Sequence, residues 1–96
     1  MSFVQIVEYE TDHADEIDAR MREGLESGPA MSFVRLTHTR DRGNPHRYVT
    51  IVEFPSYDAA MANSTRPETD QMAKELASLC TSGPRFYDLD VLMTMP

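Results

Sequence analysis

The segment that most constrains the fold is residues 48–62, where a run typical of a strand passes directly into one typical of a helix. Apart from Glu53, residues 48–54 are β-branched or aromatic, which favours a pleated strand. Pro55 cannot donate to the hydrogen-bond ladder of a sheet, and Ser56 can cap a helix that continues through the alanines. We therefore expect one strand that feeds one helix.

The first part of the chain has the same plan. Residues 3–9 are apolar on both alternating sides, which predicts a strand that is covered on both faces. Thr11 and Asp12 offer cap oxygens for a helix that follows. The spacing gives this helix an apolar stripe of Ala14, Ile17, Met21 and Leu25. On its polar side, the expected i,i+4 ion pairs are Glu16 with Arg20 and Asp18 with Arg22.

The remaining elements are marked by turn residues. A second strand is predicted over residues 31–39. Residues 40–46 are expected to form a flexible connection to the strand at 48–54. Residues 63–68 interrupt the second helix, which restarts near Arg66 with Thr65 and Glu68 at capping-box spacing. Ser-Gly-Pro occurs at 27–29 and at 82–84, and we expect it to end each helix. The last strand is predicted over residues 86–93.

The resulting order is strand, helix, strand, strand, helix, strand. With right-handed crossovers, this order gives an α+β fold, the ferredoxin-like βαββαβ plait, as a single domain over residues 1–96. Its four-stranded antiparallel sheet has both helices on one face. The other face still carries apolar residues from several strands, so we expect two copies to pack through their sheet faces as a homodimer.

Composition and charge narrow the possible partners. Sixteen acidic and nine basic residues give a net charge of −7, which disfavours binding to nucleic acid or to anionic membranes. No apolar run is long enough to span a bilayer and no signal peptide is evident, so we expect a cytoplasmic protein. Cys80 is the only cysteine, which rules out an internal disulfide. The acidic residues around His13 suit the first turn of a helix better than a metal site, and no metal is expected.

The chain resembles the dimeric α/β barrel superfamily, and most nearly its small members related to the antibiotic biosynthesis monooxygenases. The resemblance covers almost the whole chain. It is carried by the element order, by the two-sided strands, by the segment Glu-Phe-Pro-Ser-Tyr-Asp-Ala-Ala at 53–60 and by the interrupted helix at 63–67. It implies a fold rather than one reaction, because the superfamily includes oxygenases, haem-degrading enzymes, isomerases and cyclases.

Among the activities found in this superfamily, haem degradation is the one that the sequence argues against. Relatives of that kind use an Asn on the first strand and a Trp and a haem-ligating His on the second helix. This chain has no Trp, and its histidines are His13, His38 and His46, none of which falls on the predicted second helix. Haem iron would therefore lack its axial ligand.

The monooxygenase resemblance implies a reaction without any cofactor. An activated phenolic or polyketide-like substrate loses a proton, and its carbanion reduces dioxygen directly. Such a reaction needs a base, hydrogen-bond donors for the enolate oxygen and a dry pocket. We expect His38 as the base, Tyr48 and Arg35 as donors, and Asn63 near the mouth of a pocket between sheet and helices.

Each of these residues also has a purely structural interpretation. His38 can be a half-solvated residue at a strand end, Tyr48 a core aromatic, and Arg35 the cross-strand partner of Glu53 or Asp88. The basic residues at 35–47 can form a solvated hairpin tip. At the level of function, the alternatives are a non-catalytic small-molecule-binding or accessory protein of the same fold, and an isomerase or cyclase.

Overall fold

A computed structural model describes residues 2–27 and 33–96 of the chain, with the backbone alone for residues 24–27. It has the predicted element order, with the second helix divided in two. The strands are β1 (Phe3–Thr11), β2 (Arg35–Arg40), β3 (Arg47–Phe54) and β4 (Cys80–Asp90). The helices are α1 (Ala14–Ser27), α2 (Tyr57–Ser64) and α3 (Pro67–Leu79). No helix in the described ranges is long and apolar enough to cross a bilayer.

The four strands form one antiparallel sheet in the order β2-β3-β1-β4. The two strands that begin each half, β1 and β3, are therefore central, and β2 and β4 lie at the edges. With the helices on one face, this is the ferredoxin-like α+β arrangement that the sequence predicted. The second strand begins at Arg35 in the structure, and residues 31 and 32 of the predicted strand lie outside the described residues.

The register of the sheet separates its side chains into two faces, because residues directly opposite each other in an antiparallel pair point the same way. The helix-side face contains the buried core residues Phe3, Val7, Tyr9, Val52 and Phe54. These pack in two clusters, one with Ala60 of α2 and one with Ile17 of α1. The opposite face, which we call the outer face, carries Val4, Ile6, Val49, Ile51, Tyr87 and Leu89.

The predicted entry into α2 is confirmed. Ser56 has an extended backbone, and its hydroxyl oxygen accepts a hydrogen bond of 3.1 Å from the backbone N–H of Ala59. This contact satisfies one of the free N–H groups of the first helical turn.

The expected capping box at the start of α3 is wrong. Pro67 does occupy the first turn, but the N-cap residue is Arg66 and makes no side-chain cap. Thr65 still belongs to the end of α2, where its hydroxyl donates to the carbonyl oxygen of Ala62 at 3.0 Å. The Thr65 side chain therefore has no role in starting α3.

The start of α1 is joined to the end of α3 through one hydroxyl group. Thr11, which is buried, accepts a hydrogen bond from the N–H of His13 at 2.9 Å and donates to the carbonyl of Leu79 at 2.6 Å.

Both predicted ion pairs on α1 form, Glu16 with Arg20 at 3.2 Å and Asp18 with Arg22 at 2.8 Å. Of the predicted apolar stripe, Ile17 and Met21 join the core, and the Leu25 side chain lies outside the described residues, as does the first Gly-Pro pair.

The second Ser-Gly-Pro does not end a helix. Helix α3 ends at Leu79, and residues 82–84 lie inside β4, which begins at Cys80 and stops at Asp90 rather than at residue 93. The strand accommodates these residues through irregular pairing with β1 between Glu8 and Thr11. Gly83 has φ of +84°, and a Cβ there would lie 2.8 Å from the carbonyl oxygen of Glu8. Glycine is required at this position because the backbones approach so closely.

Candidate functional site

A cavity of about 170 Å³ lies between the helix-side face of the sheet and the helices. Its walls are mainly apolar. Every strand and helix contributes to them, and the strands do so through residues of their helix-side face. The apolar side chains that line it are Val7, Ile17, Met21, Phe33, Leu36, Val52, Phe54, Met72, Ala73, Leu76, Leu79 and Phe86. Helix α3 contributes Met72, Leu76 and Leu79 to this apolar wall. A mainly apolar cavity between sheet and helices is therefore present.

A small number of polar side chains interrupt this apolar wall. They are Gln5, Tyr9, Arg20, Thr50, Asn63, Thr69 and Glu75. Gln5 donates to the carboxylate of Asp88 at 3.1 Å. Arg20 is held by Glu16 at 3.2 Å and by Glu75 at 3.4 Å, so its positive charge is already balanced by two carboxylates.

The hydroxyl of Thr50 connects the cavity to a histidine behind the wall. Thr50 is 4% exposed, and its oxygen lies 2.9 Å from Nδ1 of His38 on the neighbouring strand. The two residues are directly opposite in the β2–β3 register, so the backbone pairing fixes their contact. Burial lowers the pKa of His38 below its ordinary value of 6.5; to a smaller extent Asp18 raises this pKa and Arg22 lowers it. The imidazole is therefore neutral at pH 7 and has a nitrogen that can accept a proton.

Three parallel rings extend across neighbouring strands beside this hydrogen bond. His38 stacks on Tyr48 with ring centroids 5.7 Å apart, and Tyr48 stacks on Tyr9 at 5.8 Å. The stack fixes the plane of the imidazole. Tyr9 is 2% exposed, and burial raises the pKa of its phenol to about 12, so it stays protonated.

Three buried side-chain atoms in the described residues have no hydrogen-bond partner: the Tyr9 hydroxyl, Oδ1 of Asn63 and the Thr69 hydroxyl. All three residues line the cavity. Thr50 lies close enough to Tyr9 to offset part of the rise in its pKa, but the geometry of a hydrogen bond between the two hydroxyls is not met. Unpartnered buried polar groups are rare in folded proteins, and the three found in the described residues all belong to residues that line this cavity, which makes it the candidate functional site.

The sequence-predicted residues occupy different positions relative to the cavity. Asn63 lines it, and His38 reaches it only through Thr50. Tyr48 is not part of the wall but stacks against His38. Arg35 lies on the outer face, where its guanidinium is 3.5 Å from the carboxylate of Glu53, as the structural interpretation of this residue predicted. Of the four residues, Asn63 alone lines the cavity, His38 and Tyr48 contact each other beside it, and Arg35 lies on the outer face.

Sequence reasoning missed Tyr9, Thr50 and Thr69. A signal for Thr50 is present in the strand pattern, since it is the one aliphatic hydroxyl among the helix-side positions of β3, between Tyr48 and Val52. Tyr9 could not be separated from the other aromatic core residues, because its importance depends on what its hydroxyl fails to contact.

Two basic residues of the β2–β3 hairpin have acidic neighbours. Arg47 lies 3.1 Å from Glu8 and 3.0 Å from Asp41, and His46 is 3.2 Å from Asp12. Asp41 also accepts a hydrogen bond from the N–H of Gly43, which with Arg47 lowers its pKa. The hairpin tip is thus organised by local pairing, in agreement with its structural interpretation. No metal-binding group of three or more His, Cys, Asp or Glu side chains is found in residues 2–27 and 33–96.

The fold is shared with several solved structures. A variant of SnoaB, a cofactor-independent oxygenase from Streptomyces nogalater, matches with a TM-score of 0.78 and 23% identity over 99% of this chain and 97% of that one. An antibiotic biosynthesis monooxygenase matches with a TM-score of 0.75 and 16% identity over 97% and 100% of the two chains. A dimeric ferredoxin-like protein of unknown function from Jannaschia sp. CCS1 has a TM-score of 0.78 and 18% identity over 95% and 100%.

No protein-family model matches the sequence, and no curated protein matches it significantly. At these identities the solved structures establish the fold alone. The predicted resemblance to antibiotic biosynthesis monooxygenase-like proteins of ferredoxin-like fold is confirmed at that level.

Proposed function

We propose that this protein is a cofactor-independent monooxygenase-like enzyme that acts on a small aromatic substrate in the cavity. The observation that carries the proposal is the 2.9 Å contact between Thr50, on the cavity wall, and the neutral imidazole of His38. A general base placed one hydroxyl away from an apolar cavity is the feature that a carbanion reaction with dioxygen requires.

In the proposed reaction, the acidic hydroxyl or methylene group of the substrate loses a proton through the Thr50 hydroxyl to Nδ1 of His38. The deprotonated methylene carbon, or the ring carbon onto which a phenolate delocalises its charge, then transfers two electrons to dioxygen and forms a carbon–oxygen bond, which gives a peroxide. For a methylene carbon, loss of one water from the protonated peroxide leaves a carbonyl group, so that one oxygen atom enters the product and the other leaves as water. Tyr48 positions the imidazole by stacking, and Asn63 contacts a substrate oxygen.

The volume of the cavity favours a small substrate. An apolar cavity of about 150 Å³ holds one benzene ring, and the cavity here is about 170 Å³. One or two fused rings therefore suit the space better than a tetracyclic polyketide.

A non-catalytic binding protein is the second candidate. It is favoured by the wall itself: the charged side chains that line it, Arg20 and Glu75, are paired with each other, and His38 is not part of the wall. An isomerase or cyclase would use the same base without dioxygen.

Oxygen consumption tests these alternatives. The protein is mixed with a panel of one- and two-ring hydroquinones and with anthrone, and oxygen uptake is followed with an electrode. The proposal predicts uptake that falls in the Thr50→Val variant and survives in Thr50→Ser. Saturable binding without uptake would establish the binding protein, and product formed under anaerobic conditions would establish the isomerase or cyclase.

We also propose that two copies associate through the outer face. Its apolar residues include Tyr87, 43% exposed, and Leu89, 47% exposed, next to Ile6, Val4 and Ile51. Such a contiguous apolar surface on a small chain is typical of an interface. The partner would also cover the pair of Arg35 and Glu53, which suits a role for Arg35 in the dimer.

A further inference from the structure

Tyr9 is held rigidly but its hydroxyl is bonded to nothing in the described residues. The ring packs with Val7 and Ile17 in the core and stacks on Tyr48 at 5.8 Å. Neither contact involves the oxygen, which is buried without a partner. Phenylalanine would fill this place equally well, so the hydroxyl is not explained by packing.

The neighbouring groups do not satisfy it. The oxygen of Thr50, a side chain that lowers the pKa of Tyr9, lies 2.9 Å from Nδ1 of His38 and does not meet the geometry of a hydrogen bond with the Tyr9 hydroxyl. Burial of a hydroxyl without a partner destabilises the folded protein. Such a cost is retained where the group serves a ligand, and Tyr9 lines the cavity.

The other unpartnered atoms define the chemistry of that ligand. Oδ1 of Asn63 can only accept a hydrogen bond, so the ligand must offer a donor, whereas Tyr9 and Thr69 can donate. The one cationic side chain on the described wall, Arg20, is already bound by Glu16 and Glu75. A carboxylate would therefore lose its hydration without gaining a free positive partner.

We propose that Tyr9 determines specificity in this cavity, by donating a hydrogen bond to a hydroxyl oxygen of a neutral one- or two-ring phenol or hydroquinone. The same class of ligand supplies the donor that Asn63 requires. This inference rests on the proposed function in placing the substrate in the same cavity, but it concerns recognition and needs no turnover.

Equilibrium dialysis under argon tests it with three probes of one ring system: 2-naphthol, naphthalene and 2-naphthoate. We expect the unaltered protein to bind 2-naphthol about tenfold more tightly than naphthalene, the value of one hydrogen bond of about 1.4 kcal/mol. Tyr9→Phe should lose this preference and keep its affinity for naphthalene. Tyr57→Phe, which removes a hydroxyl from an exposed ring on α2 that does not line the cavity, should keep the preference.

Thermal unfolding tests whether Tyr9→Phe changes binding because it destabilises the protein. Because the hydroxyl has no partner to lose, the ligand-free Tyr9→Phe protein should be at least as stable as the unaltered one. The inference is overturned if Tyr9→Phe retains the preference, if neither neutral probe binds, or if 2-naphthoate binds more tightly than 2-naphthol. A Tyr9-dependent preference together with no oxygen uptake on any substrate would uphold this inference and reject the monooxygenase.

Discussion

The hydroxyl oxygen of Thr50 lies 2.9 Å from Nδ1 of His38, across the pairing of β3 with the edge strand β2. The histidine is thereby connected to the cavity without entering it. In the proposed reaction, a substrate proton reaches this base through the Thr50 hydroxyl. Thr50 is thus the residue on which the proposed chemistry depends most directly.

Removing this hydroxyl should impair proton transfer more than ligand binding. Thr50→Val keeps the shape of the side chain, and we expect kcat to fall by about 10²-fold, as for loss of a general base. Thr50→Ser should retain most of the activity. Steady-state oxygen uptake measures both, and equal kcat values for the valine and serine variants would contradict the relay.

The lowered pKa of His38 predicts how stability depends on pH. The unfolded chain binds a proton at His38 near pH 6.5, and the folded protein does so only at lower pH. Stability is therefore fully present above pH 6.5 and decreases as the pH falls through the folded pKa. Denaturant unfolding at several pH values should show this slope. It should be smaller in His38→Gln, which keeps a hydrogen-bonding group beside Thr50, and an unchanged slope would contradict the assignment.

The cap at the start of α2 should make a measurable contribution to stability. Ser56→Ala removes the acceptor for the Ala59 N–H, and we expect a loss of about 1 kcal/mol in the free energy of unfolding. Ser64→Ala is the control, because that exposed hydroxyl only donates back to the Met61 carbonyl. Urea denaturation of both variants would show whether the capped serine is the more important one.

Gly83 should not tolerate a side chain. Gly83→Ala places a Cβ 2.8 Å from the Glu8 carbonyl in a backbone with positive φ, and we expect destabilisation of about 1–3 kcal/mol. Gly43→Ala is the matched control, since its Cβ would meet only the Asp41 side chain, at 3.4 Å. Equal melting temperatures for the two variants would contradict the requirement for glycine in β4.

A charge on the outer face should separate the proposed dimer. Ile51→Asp lies in the middle of that face, opposite Ile6, whereas Ala62→Asp adds the same charge on an exposed position of α2. We expect sedimentation velocity to give twice the chain mass of 10.9 kDa for the unaltered protein and for Ala62→Asp. Ile51→Asp should sediment as a monomer, and a monomeric unaltered protein would refute the interface.

The fold was predictable because local signals agreed with the global arrangement. The strand before Pro55, the cap at Ser56 and the ion pairs of α1 all depend on residues within a few positions of each other. The start of β4 was not predictable in this way. Ser-Gly-Pro at 82–84 has the composition of a helix stop, and only the long-range pairing of Thr11 with Cys80 shows that the strand has already begun.

The site was predictable only in part, for a similar reason. His38 and Asn63 were chosen by residue type, and the structure relates both to the cavity. Arg35 was chosen by type as well, but the alternation along β2 places it one residue from Leu36 and hence on the opposite face. Register decides such cases, and register is a property of paired strands that a single sequence does not contain.

The irregular pairing around Gly83 also affects how the sheet can grow. β4 forms one edge of the sheet, and there it combines a bulge with Pro84, which has no N–H to offer. A further strand that paired with β4 would meet a missing N–H donor at Pro84 and irregular residue spacing at the bulge. Edge-to-edge growth of the sheet is therefore disfavoured along β4.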